Sequence, residues 1–357
     1  RRGAHDPELT GRARQMQKVI NTDIEEAIYP NGSAFGSPHY IQATIEPILF
    51  SILQLKNAGI ADLFQSNKKI RDFTGFYATL ITPPSVRFQL NRKLISFGDG
   101  SEESAPAFAL LATGFADIDS LLSEQLLSLF FYGAPRSTLF GPVTLVVDLS
   151  ARPPNLFEAT TANYTGYVSH FRSGVNTSNE TALWVLNGNG FYDHRNDDAG
   201  EVAIYALKAP LSLSRSSFYY PSATDARIRS VVLPEAMFPE WNKSEQPIAE
   251  RSLTNRSWPF SDNIAFANLN YSSSTTIKME TKDDTQWFRK INMITVQKEL
   301  PIIVFYDSVV GKGANIWSMP MMSDGAVNTP AGLITPVKRI YHNSGEKQLP
   351  QATIQKR

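Results

Sequence analysis

Five histidines, His5, His39, His170, His194 and His342, and no cysteine make up the imidazole and thiol inventory of this chain. Thiol catalysis, disulfides and zinc ribbons are thereby excluded. Proton transfer near neutral pH falls to histidine, or to a tyrosine placed where its pKa is shifted. Two polar segments offer such groups. Residues 29–40 (YPNGSAFGSPHY) form a Gly- and Pro-rich loop that opens onto an apolar run. Tyr40 stands at the start of the helix predicted there, where the positive end of the helix dipole favours a phenolate. Read as packing alone, the same ring is an aromatic staple at the helix entry. Residues 191–200 (FYDHRNDDAG) lead into a predicted strand. A histidine on such a loop, His194, can be aimed at a cleft; read as a surface turn, the segment's charges are simply solvated.

The elements that position these loops divide the chain near residue 150. From Ile41 to Lys56 the positions Ile41, Ile45, Ile48, Leu49, Ile52, Leu53 and Leu55 follow a 3.6-residue period, with Gly59 where a C-terminal cap belongs and Pro47 as a kink or break. Further helical patterns span Lys69 to Leu80, Ala105 to Phe115, and Ile118 to Tyr132 with Asp117 as its N-cap. After the Pro-rich 151–154, short alternating segments take over: Thr165 to Phe171, Ala182 to Leu186, Glu201 to Leu207, Ser230 to Leu233, Ile291 to Val296 and Ile302 to Tyr306. The absence of helical crossovers between them favours an antiparallel sandwich. The fold class is α+β in two domains, residues 1–150 helical and 151–357 β-rich.

The 357 residues carry 34 basic and 34 acidic side chains, 42% hydrophobic residues and 19% charged ones. That is a folded chain with a core in each half and no global basic field, so nucleic acid is not an expected partner. The longest apolar run, Ala107 to Ala116, is broken by Thr113 and Gly114 and is too short to span a bilayer, so no membrane partner is expected either. Arg1-Arg2-Gly3 at one end and Gln355-Lys356-Arg357 at the other read as cuts in a longer product. No Gly-x-Ser-x-Gly elbow or GxGxxG loop occurs. Seven Asn-x-Ser/Thr sequons begin at Asn31, Asn163, Asn176, Asn179, Asn242, Asn255 and Asn270.

The two polar segments, in order, carry a resemblance. Asn31-Gly32-Ser33 followed by Pro38-His39-Tyr40 and an apolar helix resembles the "DGS…YH" segment of the heparinase II/III-like polysaccharide lyases. Phe171-Arg172-Ser173-Gly174, then residues 194–200 with Ile204-Tyr205-Ala206 and Pro210-Leu211, resembles that family's "FRSG…HxHxDAGxFxIYA…PL" run, and Gly98-Asp99 its "GD" pair. The resemblance covers most of residues 29–235. It implies an incomplete (α/α) toroid followed by an antiparallel β-sandwich, with the cleft between them. It also implies β-elimination on a uronic-acid-containing polysaccharide such as alginate, glucuronan or a glycosaminoglycan, outside the cell or in the periplasm. A uronate C5-epimerase or a non-catalytic carbohydrate-binding protein of the same fold is the alternative.

Carried over position by position, Tyr40 matches the catalytic tyrosine and His194 the catalytic histidine of the sandwich. His39, Arg172, Arg195, Tyr219 and Tyr220 are expected to bind the anionic polysaccharide, with Arg215 and Arg227 beside them; guanidinium forks suit carboxylate or sulfate. The family's carboxylate-neutralising Asn or His is expected upstream of Arg1, with a further segment or chain completing the toroid, or with His39 in that role. The family's zinc positions fall on Asn196, Ser212 or Ser214, and Ile228 or Arg229, which are poor zinc ligands, so no metal or other cofactor is expected.

Overall fold

Apolar residues at helical spacing build the first layer. A computed structural model describes residues 7–34, 36–98, 102–133, 156–188, 199–213, 230–234, 260–280, 285–295, 300–311, 315–317, 319, 327–329, 332–334 and 354–355. Within them the helices are α1 (Pro7–Ala27), α2 (Pro38–Asn57), α3 (Leu63–Ser66), α4 (Lys68–Thr79), α5 (Ala107–Phe115) and α6 (Ser120–Gly133). Helix α2 buries the predicted stripe from Ile41 to Leu55. Pro38 begins it, where the missing N–H costs nothing. Gly59, at φ +69°, closes it by donating to the Lys56 carbonyl at 2.9 Å. Pro47 does not break it: the proline lies on the exposed side of a helix that continues to Asn57. The N-cap predicted for α6 shifts by two residues, because Asp119 and not Asp117 accepts from the Leu122 amide, at 3.1 Å. Helix α5 is apolar all round and buried, packed against α2 and α6.

The second layer is an antiparallel sheet in the order β1 (Ala162–Tyr164), β2 (Val168–Ser173), β3 (Thr181–Leu186), β4 (Val202–Ala206), β5 (Ala209–Ser212). Every residue of β2, β3 and β4 is buried. The pleat explains this, since alternate side chains leave a strand on opposite faces. Ala182, Trp184 and Leu186 join the helical core, whereas Leu183 and Val185 join a second core. Trp184 Nε1 donates to the Thr79 carbonyl at 2.7 Å, fixing the sheet to the end of α4.

The third layer closes that second core. After β6 (Val232–Pro234), an antiparallel sheet is formed by β7 (Phe260–Leu269), β8 (Ser272–Glu280), β9 (Gln286–Ile294) and β10 (Ile302–Val310) in the order β10-β9-β8-β7. Ile277, Met279, Trp287, Ile291 and Met293 face inward. Further short strands are β11 (Asn315–Trp317), paired with β6, and β12 (Val327–Thr329), β13 (Gly332–Ile334) and β14 (Ile354–Gln355), paired in that order. The α+β class thus stands, with helices on one sheet and that sheet on another. The expected division near residue 150 lies outside the described residues. To either side of it, the helices and the first sheet share one continuous core.

Candidate active site

The loop that presents Tyr40 is a tight turn clamped to the first sheet. Asn31 Oδ1 accepts from the Ser33 amide at 3.1 Å and the Ser33 hydroxyl at 2.7 Å, an Asx turn of the kind asparagine favours. Gly32 has φ +86°, and a Cβ there would meet the Asp72 backbone at 2.7 Å, so only glycine fits. Two bonds then cross to the β1–β2 turn: Asn31 Nδ2 donates to the Thr165 carbonyl at 2.9 Å, and the Tyr167 hydroxyl donates to the Gly36 carbonyl at 3.0 Å. With its entry fixed in this way, α2 places His39 and Tyr40 in its first turn.

Their rings meet edge to face, with centroids 4.9 Å apart and planes at 88°. Both carboxylate oxygens of Glu103 lie against His39 Nδ1, at 2.9 and 3.0 Å. The pair is partly open to solvent, the side chains being 33% and 26% exposed. The neighbouring Glu102 serves a different partnership, accepting from Arg87 at 2.7 Å and from the Tyr205 hydroxyl of β4. Below them, burial raises the pKa of Tyr77 well above its ordinary value, as do the nearby Glu46 and Glu103 charges. The Tyr77 hydroxyl donates to Gln42 at 3.0 Å.

His194 and Arg195 lie outside the described residues, as do Tyr219, Tyr220, Arg215 and Arg227. The described residues that flank the His194 segment, 187–188 before it and 199–200 at its close, are braced. At the leading end, the Asn187 amide donates to the Tyr167 carbonyl at 3.0 Å. Gly188 packs on Gly166 so closely that a Cβ would collide with its backbone. At the trailing end, the Gly200 amide donates to the Leu186 carbonyl at 2.9 Å, and the Gly200 carbonyl accepts from Arg289 at 2.8 Å. Gly200 has φ +79°, and Met279 and Trp287 of the second sheet occupy the space a side chain would need. The β1–β2 turn, residues 164–167, therefore touches both the Tyr40 loop and residues 187–188, which precede the His194 segment in the chain.

Arg172 departs from expectation. Its side chain is 1% exposed and faces Glu180 at 3.3 Å and the Ile81 carbonyl, not a cleft. Arg92 reaches the same carboxylate with two bonds of 2.8 Å. Burial works to raise the Glu180 pKa, but the Arg92 hydrogen bonds and both guanidinium charges outweigh it and hold the carboxyl below its usual range. Burial pulls Arg172 down to about 9, Glu180 opposes this, and the Arg92 charge adds to the lowering. The expected substrate ligand is a buried tie between the helices and the first sheet. A hydrophobic β-strand hides a guanidinium only when a carboxylate meets it, and Glu180 at the head of β3 was the overlooked partner.

No known family profile and no curated protein matches this sequence. Solved structures do match the fold. Heparan sulfate lyase HepC from Pedobacter heparinus is 16% identical with a TM-score of 0.64, the match covering 93% of this chain and 47% of that one. A heparinase III gene product is 14% identical with a TM-score of 0.65, covering 92% and 47%. Another heparinase III is 10% identical with a TM-score of 0.61, covering 90% and 48%. This chain has a heparinase-like fold. It spans about half the length of the structures it matches.

Within this heparinase-like fold, four of the residues that the resemblance aligns with zinc ligands, Asn196, Ser214, Ile228 and Arg229, lie outside the described residues. Ser212 is buried, with its hydroxyl 3.3 Å from that of Ser230. Among the described residues no three His, Cys, Asp or Glu side chains converge, and no helix is long and apolar enough to cross a membrane. Of the sequon asparagines, Asn31, Asn163 and Asn176 use their side-chain nitrogens as internal donors, to the Thr165 carbonyl, the Thr165 hydroxyl and the Phe157 carbonyl. Glu103 is the site residue that sequence reasoning missed. It follows the Gly98-Asp99 pair closely, which was the available signal, but nothing in the spacing says it returns to His39.

Proposed function

We propose that this chain is part of a polysaccharide lyase acting on an anionic, uronic-acid-containing polysaccharide by β-elimination. On this reading the helices form part of an incomplete toroid, the two large sheets form the sandwich, and substrate lies where they meet. A glycosaminoglycan of the heparan sulfate type is the leading substrate, because the matched structures are heparinases. Such polymers lie outside the cell, which favours a secreted or periplasmic enzyme. One observation carries the reading: the Tyr40 loop and Asn187, a few residues before the His194 segment, are both bonded to the single turn at residues 164–167.

The chemistry asks for what this corner can offer. The C5 proton of a uronate is weakly acidic until its carboxylate is neutralised. A base then takes that proton, the C5–H electrons form the C4–C5 double bond, the C4–O bond breaks, and the departing oxygen takes a proton from an acid. Tyr40 is assigned as the acid and His194 as the opposing base, with His39 beside Tyr40. The test is incubation with heparan sulfate, alginate and glucuronan, reading the ultraviolet absorbance of the unsaturated product. Tyr40→Phe is expected to lose about 10²–10⁴-fold of the turnover with an unchanged melting temperature. Normal product formation by a normally folded Tyr40→Phe would reject the assignment.

A further inference from the structure

We infer that Glu103 is a positioning residue that fixes the tautomer of His39, making its Nε2 a hydrogen-bond acceptor on the helical wall of the Tyr40 site, an inference that rests on the lyase reading above. A carboxylate only accepts hydrogen bonds, so the nitrogen between its two oxygens, Nδ1 of His39 at 2.9 and 3.0 Å, must carry a proton. In the neutral ring, Nε2 is then the basic nitrogen. A free imidazole flips between tautomers and rotates; one gripped by both oxygens of a carboxylate does neither cheaply. This is the logic by which an acidic residue orients a catalytic histidine elsewhere.

The geometry makes the grip specific. Leu94 donates its amide to the Glu103 carbonyl at 2.7 Å, so the backbone under Glu103 is held in an extended bridge. Successive residues of extended chain project to opposite sides. Glu102 accordingly turns to Arg87 and Tyr205, and Glu103 turns to His39. On the other flank the His39 ring stands edge-on to Tyr40, with centroids 4.9 Å apart. The carboxylate thus fixes an imidazole that in turn borders the phenol assigned as the acid. Partial exposure of both side chains, 33% and 26%, leaves the pair within reach of substrate, unlike the Glu180 tie in the interior.

The experiment combines kinetics with the imidazole nitrogens of His39, read by ¹⁵N NMR in the folded chain. Parent protein is expected to show the Nδ1–H form, and Glu103→Ala the Nε2–H form that free histidine prefers. Glu103→Ala should lower kcat about 10–100-fold with little change in KM. Glu103→Asp should recover part of the loss. In a His39→Gln background, Glu103→Ala should cost nothing further, because the two act as one unit. Unchanged kcat in a folded Glu103→Ala, or losses that add in the double variant, overturns the inference. Should the parent form no unsaturated product from any uronate polymer, the lyase reading falls, and the catalytic inference falls with it. The NMR arm then judges the pairing alone: a His39 that keeps Nδ1–H in Glu103→Ala refutes it. Glu103→Gln, which preserves side-chain size, serves if the alanine variant fails to fold.

Discussion

The two large sheets are buried in different ways. Strands β2, β3 and β4 are covered on both faces, by helices on one side and the second sheet on the other. Strands β8 and β9 alternate, with one face in the core and one turned outward. A sheet held between two layers has no residue that can move without moving a neighbour, so the turns at its ends are fixed points. The turn at residues 164–167 is such a point: the Tyr40 loop bonds to it, and so does Asn187, directly after β3. The outer layer supports without presenting: Arg289 of β9 reaches through to hold the Gly200 carbonyl.

The largest expected difference between the layers lies in their buried charges. Glu180 faces two guanidiniums in a place where the side chain is 2% exposed. Glu180→Gln would leave two buried cations without their counter-charge, and a loss of about 3–5 kcal/mol is expected in urea unfolding. The counterpart in the outer sheet is Asp307, whose side chain is 14% exposed and which meets one guanidinium, that of Arg289 at 2.8 Å. Asp307→Asn should cost less, about 1–3 kcal/mol. Equal losses would show that burial between layers is not what sets the cost.

The same contrast explains how far the sequence could be read. The strands from Ala182 to Leu186 and from Glu201 to Leu207 were expected as short alternating segments between turn-forming clusters, and β3 and β4 lie there. The expected Ile291 to Val296 caught only the end of β9, which begins at Gln286. Strand β8 escaped notice because its inward positions include Ser273 and Thr275. Thr275 joins a polar seam, contacting Ser169 at 2.9 Å and accepting from Asn263 at 2.6 Å, while Ser273 donates to Asn268 at 2.8 Å. Polar residues satisfied by partners a hundred positions away leave no local periodicity to detect. Tyr40 and His39 were legible because a turn motif and a helix start adjoin them. Glu103 and Glu180 were not, since each matters through a partner distant in sequence or through burial.

An intermediate effect concerns pH. His170 of β2 is fully buried, stacked on Trp184 at 5.1 Å, with Nδ1 donating to the Thr160 carbonyl at 3.0 Å and Nε2 unpartnered. Burial above all, then the Arg172 charge, holds its pKa well below 6.5, against a smaller opposing effect of the Thr160 bond. The folded state therefore resists a proton that the unfolded chain accepts below about pH 6.5. Above that pH both states are neutral there and His170 contributes no pH dependence. Below it, stability should fall with a slope of up to about 1.4 kcal/mol per pH unit, until the folded pKa is reached. The outer sheet, residues 260–310, contains no histidine and adds nothing of this kind. Urea midpoints at pH 7, 6 and 5 for the parent and His170→Gln should diverge; parallel curves would remove His170 as the cause.

The smallest effect is the sharpest test of one-sided burial. Val304 of β10 is 43% exposed, while its neighbours Ile303 and Phe305 pack inward against the second core. Val304→Thr keeps the branched Cβ that suits a strand and places its hydroxyl toward water, so the change should stay within about 0.5 kcal/mol. The identical swap at Val185 of β3, which is fully buried, puts a hydroxyl into an apolar core and should cost about 1–3 kcal/mol. Because the two substitutions are the same chemically, the difference in urea midpoint isolates the environment. Should Val304→Thr prove as costly as Val185→Thr, the outward face of β10 must be covered by something, and the second sheet would be a middle layer like the first.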